Sequence, residues 1–157
     1  MSKESELVKK LTNKGYTITT AESCTGGLLA SSIVNVSGAS EVFDCAYVTY
    51  ANEAKEKMVH VSHETLKQYG AVSEQTAAQM CQGCAKEAGA DIGLSTTGIA
   101  GPGGGTDDKP VGLVYIGCCL HGLVNVKKYI FKGNRDEIRR QAVAAALDLA
   151  IQCLDKE

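Results

Sequence analysis

Ser23 stands in a segment whose composition suits nucleophilic catalysis. The segment, AESCTGG at residues 21–27, leads from a short β-branched stretch into an apolar run that begins at Leu28. Glycines at such a turn let backbone N–H groups approach a ligand. The start of the helix that follows can bind an anion or a developing oxyanion. The same pattern is also typical of a turn in which Ser23 or Thr25 merely caps the helix.

A lysine that could activate Ser23 follows the next predicted strand. Tyr50, Asn52 and Lys55 lie in the segment VTYANEAK, where a strand ends and a helix begins. The carboxyl edge of an open α/β sheet is the usual place for ligands. A lysine desolvated there is partly neutral and can take a proton from a serine. The alternative is a solvated lysine on a charged first helical turn, for which Asn52 would be the N-cap.

A glycine-rich loop forms the third segment with chemical potential. The sequence STTGIAGPGGGT at residues 95–106 follows a predicted strand and leads through KPVG into another. Its amides and hydroxyls could form a nest for a phosphate or an oxyanion. It is not a P-loop, because no Gly-Lys-Ser/Thr opens a following helix. A flexible surface loop is the alternative, although a loop of this length in a compact domain is more often functional. The candidate ligand-binding residues here are Thr97, Gly98, Gly101 and Thr106.

The remaining chemically capable residues fit ordinary structural roles. His60, His63 and His121 show no order or spacing that pairs a histidine with Ser23, so we expect Lys55 rather than histidine as its base. Cys81 and Cys84 form a lone C-x-x-C inside a predicted helix, and no second pair or histidine spacing completes a zinc site. Three arginines open the last predicted helix as a solvated face or a phosphate clamp: Arg135, Arg139 and Arg140.

Hydrophobic periodicity and turn residues indicate an α/β domain. Helices are predicted over Met1–Lys14, Leu28–Val36, Asn52–Met58, Ser73–Gly89 and from Asn134 onward, and a short turn is predicted from Ser62 to Gly70. Asn134 and Glu137 form a capping box at the start of the last helix. Strands are predicted over Tyr16–Thr20, Val42–Tyr50, Asp91–Thr97, Val111–Leu120 and Leu123–Phe131. Helices between strands imply parallel pairing, and the turn at His121-Gly122 implies one antiparallel pair. We therefore expect a three-layer α/β/α sandwich with a mixed, mostly parallel five-stranded sheet.

Composition limits the possible classes of function. The chain of 157 residues has the length of one domain, residues 1–157, and its formal net charge of −2 gives no basic surface for nucleic acid. No apolar run is long enough to span a membrane, and Met1–Lys14 lacks the pattern of a signal peptide. Seven cysteines, an odd number, favour reduced thiols and a cytoplasmic protein.

Four segments in order, TAESCTGGLLA, VTYANEAKEKMVHV, YGAVSEQTA and STTGIAGPGGGTDDKPVGLVYIG, resemble the CinA C-terminal domain family. The resemblance covers roughly Leu7 to Leu154. The family includes stand-alone nicotinamide mononucleotide (NMN) deamidases, so the resemblance implies a serine amidohydrolase that uses no metal and no cofactor. The family's serine falls on Ser23, its lysine on Lys55 and its tyrosine on Tyr50.

The resemblance also implies roles for the surrounding residues. Ser23 would attack the carboxamide of NMN with Lys55 as general base and Tyr50 tuning the pair, and Lys55 or Tyr50 would then protonate the departing ammonia. Backbone amides of Thr25, Gly26 and Gly27, or of the turn from Gly98 to Gly101, would hold the oxyanion. Asn52 is a further candidate for substrate binding. Candidates for the ribose phosphate are Thr97, Thr106 and Arg135.

Two other functions stay open on the sequence alone. One is a non-catalytic nucleotide-binding or regulatory domain, and the other is an amidase for a different aryl amide. Retention of Ser23 and Lys55 favours catalysis, and the near-neutral charge and few aromatic residues argue against direct DNA binding. Relatives of this kind form dimers or larger assemblies, so we expect a homodimer or a larger homo-oligomer.

Overall fold

A five-stranded sheet with helices on both faces forms the framework of the protein. The computed structural model describes residues 1–157. The helices are α1 (Lys3–Lys14), α2 (Leu28–Val34), α3 (Asn52–Val59), α4 (His63–Tyr69), α5 (Glu74–Ala88) and α6 (Arg135–Asp155). The strands are β1 (Ile18–Glu22), β2 (Tyr47–Val48), β3 (Ile92–Gly98), β4 (Leu113–Leu120) and β5 (Leu123–Ile130). This arrangement confirms the expected three-layer α/β/α fold.

The sheet is mixed and has the order β2-β1-β3-β4-β5. β1 pairs in parallel with β2 and β3, whereas β4 pairs antiparallel with both β3 and β5. Four strands therefore point the same way and β4 alone opposes them, which confirms a mostly parallel set of strand directions. The expectation of only one antiparallel pair was wrong. The long loop between β3 and β4 contains no crossover helix, so β4 returns antiparallel beside β3.

The second strand is much shorter than the pattern of Val42–Tyr50 predicts. Only Tyr47 and Val48 pair with β1, and Phe43 forms an isolated bridge with Ile18. Between them the Thr19 hydroxyl, rather than a backbone N–H, donates to the carbonyl of Cys45. A side-chain hydrogen bond thus takes the place of a backbone hydrogen bond between β1 and this segment, and the strand is interrupted there.

Apolar side chains fill the space on both faces of the sheet. The larger cluster lies between the sheet and α1, α2 and α6, and includes Leu7, Leu29, Ile116 and Leu147. The smaller cluster lies toward α5 and includes Met80 and Cys84. All seven cysteines are free thiols, and Cys81 and Cys84 are buried, as expected of packing residues. No helix combines the length and apolarity that crossing a bilayer needs.

The termini of α5 and α6 follow the capping signals in the sequence, whereas those of α2 and α3 do not. Gly27 is the N-cap of α2, so the alternative in which Ser23 or Thr25 caps that helix is wrong. Ser73 caps α5 through its side chain, and Asn134 and Glu137 form the predicted capping box of α6. Asn52 was predicted as the N-cap of α3, but Ala51 occupies that position and Asn52 is the first helical residue. Lys55 and Val59 are four residues apart and therefore lie one turn apart on the buried face of α3.

Helix α3 approaches α5 closely at a glycine. A Cβ atom at Gly83 would lie 1.8 Å from the carbonyl oxygen of Val59, far inside van der Waals contact. Only glycine allows this approach, which presses α3 and its buried Lys55 against the rest of the fold. The position of the lysine therefore depends on a residue in a different helix.

Candidate active site

The site lies at the edge of the sheet where the parallel strands β1, β2 and β3 end. Ser23 follows the last residue of β1, Tyr50 follows β2 closely, and Gly98 ends β3. The Ser23 N–H donates to the carbonyl of Thr96 at 2.9 Å, which extends the β1–β3 pairing into the turn. Parallel strands present their carboxyl ends at one edge, so the three sequence segments meet there as predicted.

Lys55 and Ser23 form a direct hydrogen-bonded pair. Lys55 Nζ lies 2.9 Å from Ser23 Oγ, 2.7 Å from the carbonyl oxygen of Thr49 and 3.3 Å from that of Tyr50. The lysine side chain is fully buried and Ser23 is 9% exposed. The alternative of a solvated surface lysine is therefore wrong for Lys55.

Burial lowers the pKa of Lys55 from 10.5 to about 8. Desolvation is the main cause, because it disfavours the charged amine. The nearby Cys24 thiol acts in the opposite direction, but burial raises the pKa of that thiol to about 11, so it carries no charge near neutral pH. A neutral amine has two N–H donors for the two carbonyls and a lone pair for the Ser23 hydroxyl proton. The geometry therefore suits a serine activated by a neutral lysine.

Glu22 holds the turn that carries Ser23, a role that sequence reasoning missed. Its carboxylate is fully buried and accepts hydrogen bonds at 2.6–3.2 Å from two hydroxyls and three backbone N–H groups. The donors are Thr20 Oγ1, Thr25 Oγ1 and the N–H groups of Gly27, Leu29 and Ala30. A buried carboxylate with this many donors is well compensated. It occupies the N-terminus of α2, which therefore does not face the substrate.

This arrangement changes the expected oxyanion site. The Gly26 N–H donates to the Ser23 carbonyl and the Gly27 N–H to Glu22, so the prediction that these two amides hold an oxyanion was wrong. The Thr25 N–H has no acceptor in the protein, but Thr25 is fully buried and does not line the cavity beside Ser23. The Thr25 hydroxyl contacts Glu22 and Thr96 and is structural.

A cavity of about 320 Å³ opens beside the serine. This volume lies within the range of small-molecule sites. Its lining includes seven of the predicted residues: Ser23, Lys55, Tyr50, Thr97, Gly98, Gly101 and, from α6, Arg135. Cys24, Ala100 and Gly101 also line it, and their N–H groups donate to no protein acceptor. These three amides are candidate oxyanion donors, and two of them, Ala100 and Gly101, belong to the predicted turn from Gly98 to Gly101.

Arg135 and Tyr50 meet at the cavity. One guanidinium nitrogen of Arg135 donates to the carbonyl of Gly101 at 2.9 Å, and the other donates to the Tyr50 hydroxyl at 3.3 Å. Tyr50 is 64% exposed, and its phenol contacts Arg135 rather than Ser23 or Lys55. Its contact with Lys55 is made by the backbone carbonyl. The guanidinium keeps unused N–H donors, since arginine has five.

Three predicted binding residues either lie outside the cavity or have their hydroxyl engaged elsewhere. Thr97 lines the cavity, but its hydroxyl donates to the carbonyl of Ala71 at 2.7 Å. Thr106 accepts from the Lys109 N–H in an exposed turn of the glycine-rich loop and does not line the cavity. Asn52 is exposed at the start of α3 and also lies outside the cavity.

Arg139 was predicted as part of a solvated face or a phosphate clamp, but it is a second positioning residue. Its guanidinium donates to the carbonyls of Cys24 and Thr25 at 3.0 and 2.8 Å. It thereby anchors the turn after Ser23 to α6. Arg140, by contrast, is exposed and pairs with Asp136. No three His, Cys, Asp or Glu side chains converge as a group that could hold a metal ion.

Comparison with known proteins agrees with this fold. Residues 1–154 match the model of the CinA C-terminal domain. A CinA-like protein of Kosmotoga olearia is 55% identical over 153 residues, which are 98% of this chain and 37% of that protein. The chain spans little more than a third of the length of the curated relatives it matches.

Solved structures of similar size match over nearly their whole length. A CinA superfamily protein from Klebsiella pneumoniae superposes with a TM-score of 0.95 at 34% identity, covering 99% of this chain and 97% of that one. The competence/damage inducible protein CihA from Agrobacterium tumefaciens gives a TM-score of 0.91 at 40% identity, with the same coverage of both chains.

Proposed function

The chain belongs to the CinA C-terminal domain family, and on this basis we propose that it is a Ser/Lys amidohydrolase that converts NMN to nicotinate mononucleotide and ammonia. The observation that carries the proposal is the 2.9 Å contact between the buried Lys55 Nζ and Ser23 Oγ beside an open cavity. A lysine whose pKa is lowered to about 8 is neutral in roughly one molecule of ten at pH 7. That fraction suffices for a base that is restored in each turnover.

The first half of the reaction forms an acyl-enzyme. Neutral Lys55 takes the hydroxyl proton of Ser23, and Ser23 Oγ attacks the carboxamide carbon of NMN. We assign stabilisation of the tetrahedral oxyanion to the N–H groups of Cys24, Ala100 and Gly101, because these residues line the cavity and their amides have no protein acceptor. Lys55 then gives its proton to the departing nitrogen. The C–N bond breaks, ammonia leaves, and the nicotinoyl group is esterified to Ser23.

The second half releases the product. Water attacks the ester while Lys55 accepts its proton, and the proton passes to Ser23 Oγ as the ester C–O bond breaks. The balance is one NMN and one water consumed for one nicotinate mononucleotide and one ammonia. The catalytic groups in each proposed step are side chains and backbone amides of this chain, and the proposal includes no metal or cofactor. We also propose Tyr50, which lines the cavity, as a second proton donor for the leaving group.

Arg135 is the best placed of the three phosphate candidates. It lines the cavity and keeps free N–H donors, whereas the Thr97 hydroxyl is engaged and Thr106 lies outside. A guanidinium suits a phosphate because it can present two parallel donors. Amides of Gly103 and Gly104, which also line the cavity, have no protein acceptor and can add to this contact.

The cellular setting is also a proposal. Seven free thiols, none in a disulfide, fit a reducing compartment such as the cytoplasm. NMN is the proposed small-molecule partner, and we further propose a homodimer or larger homo-oligomer. Light scattering of the purified protein tests the assembly.

Turnover of NMN by the purified protein tests the function. We expect equal amounts of ammonia and nicotinate mononucleotide, at a rate that a chelator does not change. Binding of NMN without turnover would instead support the nucleotide-binding alternative. Turnover of free nicotinamide at a higher kcat/KM than NMN would support an amidase for another aryl amide.

A further inference from the structure

A second cavity lies at the far end of α6 from the proposed active site. It has a volume of about 210 Å³ and lies between the β4–β5 hairpin and the last turns of α6. Cys153, Asn125, Lys127 and Lys156 are among its lining residues. Cys153 follows Arg139 by fourteen residues, so a helical rise of about 1.5 Å per residue places it roughly 21 Å along the axis. The chemistry at Ser23 makes no use of this cavity.

The Cys153 thiol is half-buried in a cationic environment. The side-chain amide of Asn125 donates to its Sγ at 3.7 Å, and Lys127 and Lys156 lie near enough to favour its thiolate. The contact with Cys118 and these cations lower the pKa of Cys153 to about 7 against the effect of burial. Reactive cysteines occupy this kind of electropositive, partly exposed position. His121 and Glu157 also line the cavity, and Glu157 is engaged with Tyr16 and Lys14.

A second thiol lies beneath Cys153. Cys118 on β4 is fully buried and is the register partner of Asn125 on β5. Directly opposed residues of an antiparallel pair project from the same face, about 5 Å apart. Since the Asn125 amide reaches Cys153 Sγ, Cys153 sits over this pair. The contact with Cys153 and burial raise the pKa of Cys118 far above its ordinary value, so Cys118 remains a protonated thiol.

We propose that Cys153 is a peroxide-reactive thiol and that Cys118 resolves it to an intramolecular disulfide. The Cys153 thiolate attacks one oxygen of hydrogen peroxide, the O–O bond breaks, and a sulfenic acid and hydroxide form. Cys118 sulfur then attacks the sulfenic sulfur, its proton passes to the leaving hydroxide, and water departs. Two thiols are oxidised to one disulfide while one peroxide is reduced to two waters. The bond ties the end of α6 to β4.

Three other cysteines serve as internal comparisons for the reactivity of Cys153 toward peroxide. Burial raises the pKa values of Cys81 and Cys84, which are fully enclosed, so they are inert toward peroxide. Cys45 is the one exposed thiol, and its Sγ donates to the Tyr47 hydroxyl at 3.6 Å. Exposure alone therefore predicts oxidation at Cys45, whereas the cation and thiol contacts predict it at Cys153.

Peptide mapping after treatment of the reduced full-length protein with hydrogen peroxide tests the proposal. We expect a Cys118–Cys153 disulfide, and in Cys118→Ala we expect a sulfenic acid at Cys153 that dimedone captures. Cys153 should react about tenfold or more faster than Cys45 in the same sample. Cys153→Ser should lose the disulfide and keep its unfolding midpoint in urea.

Oxidation of Cys45 ahead of Cys153 would overturn the proposal, as would a reacted Cys153 that never links to Cys118. NMN turnover in Cys153→Ser is measured in parallel. Because Cys153 lies outside the proposed active site, turnover should equal that of the unmodified chain. The thiol result therefore stands or falls separately from the proposed amidohydrolase function.

Discussion

Lys55 Nζ lies 2.9 Å from Ser23 Oγ and is fully buried, although α3 is otherwise a charged helix. The two residues are 32 positions apart and come from different strand-to-helix turns. Parallel pairing of β1 with β2 brings these turns together, and the close approach of α3 to α5 at Gly83 keeps the lysine out of solvent. Burial is what turns an ordinary lysine into a base near neutral pH.

The pH dependence of NMN turnover reports the Lys55 base. Since the neutral amine is the active form and its pKa is about 8, kcat/KM should rise about tenfold per pH unit below 8 and level off above it. A profile from pH 6 to 9.5 with the protein folded throughout measures this. A rate that falls with pH across this range would contradict a neutral lysine base.

Lys55→Met should abolish turnover and change the pH dependence of stability. The folded-state pKa of Lys55 lies below the ordinary 10.5, so its burial penalty is complete below pH 8 and fades toward pH 10.5. The stability of the native chain should therefore rise by about 3 kcal/mol relative to Lys55→Met between pH 7 and 11. Urea unfolding at several pH values measures this difference.

Lys57→Met is the matched control, because Lys57 is an exposed lysine of the same helix. It should leave turnover unchanged, and its stability should follow that of the native chain at every pH. A parallel pH dependence of the native chain and Lys55→Met would contradict the lowered pKa.

Glu22→Gln should destabilise the fold and slow turnover. The amide retains the shape but has one acceptor oxygen in place of two, so N–H or O–H donors lose their partner at the start of α2. Loss of such buried contacts costs about 2–4 kcal/mol. Chemical unfolding measures the change, with Glu41→Gln, at an exposed position, as control. A loss below 1 kcal/mol would show that the carboxylate is not needed to hold the turn.

Arg135→Met should weaken recognition of the phosphate. Removing a charged donor costs about 1.5–3 kcal/mol, which is roughly a 10- to 150-fold rise in KM for NMN with a smaller change in kcat. The same change should have little effect on nicotinamide riboside, which has no phosphate. Arg140→Met is the control, since Arg140 is exposed and outside the cavity. An equal loss for both substrates would assign Arg135 a purely structural role.

Much of the site was predictable because it depends on local signals. Ser23, Lys55 and the glycine-rich loop each follow a strand, and parallel strands end at one edge. The positioning roles of Glu22 and Arg139 escaped prediction for different reasons. Glu22 looked like part of a motif around the serine, and Arg139 acts on carbonyls that are 114 and 115 residues away in the chain. No local pattern marks such a long-range contact.

The fold showed the same division between local and long-range information. The capping box at Asn134 and the hairpin turn at His121-Gly122 are local, and both formed as predicted. The length of β2 depended on the Thr19 hydroxyl, which reaches Cys45 from a neighbouring strand. β-branched composition alone could not reveal that interruption.

Ser23→Ala tests the central claim most directly, with Ser31→Ala, at an exposed position, as the matched control. Ammonia release from NMN is measured for both variants and the unmodified chain at pH 8, after their folded states have been compared by circular dichroism. The account predicts a loss of at least about a thousandfold in Ser23→Ala, as for removal of a catalytic nucleophile, and native turnover in Ser31→Ala. Native turnover in a folded Ser23→Ala protein would contradict the assignment of Ser23 as the nucleophile.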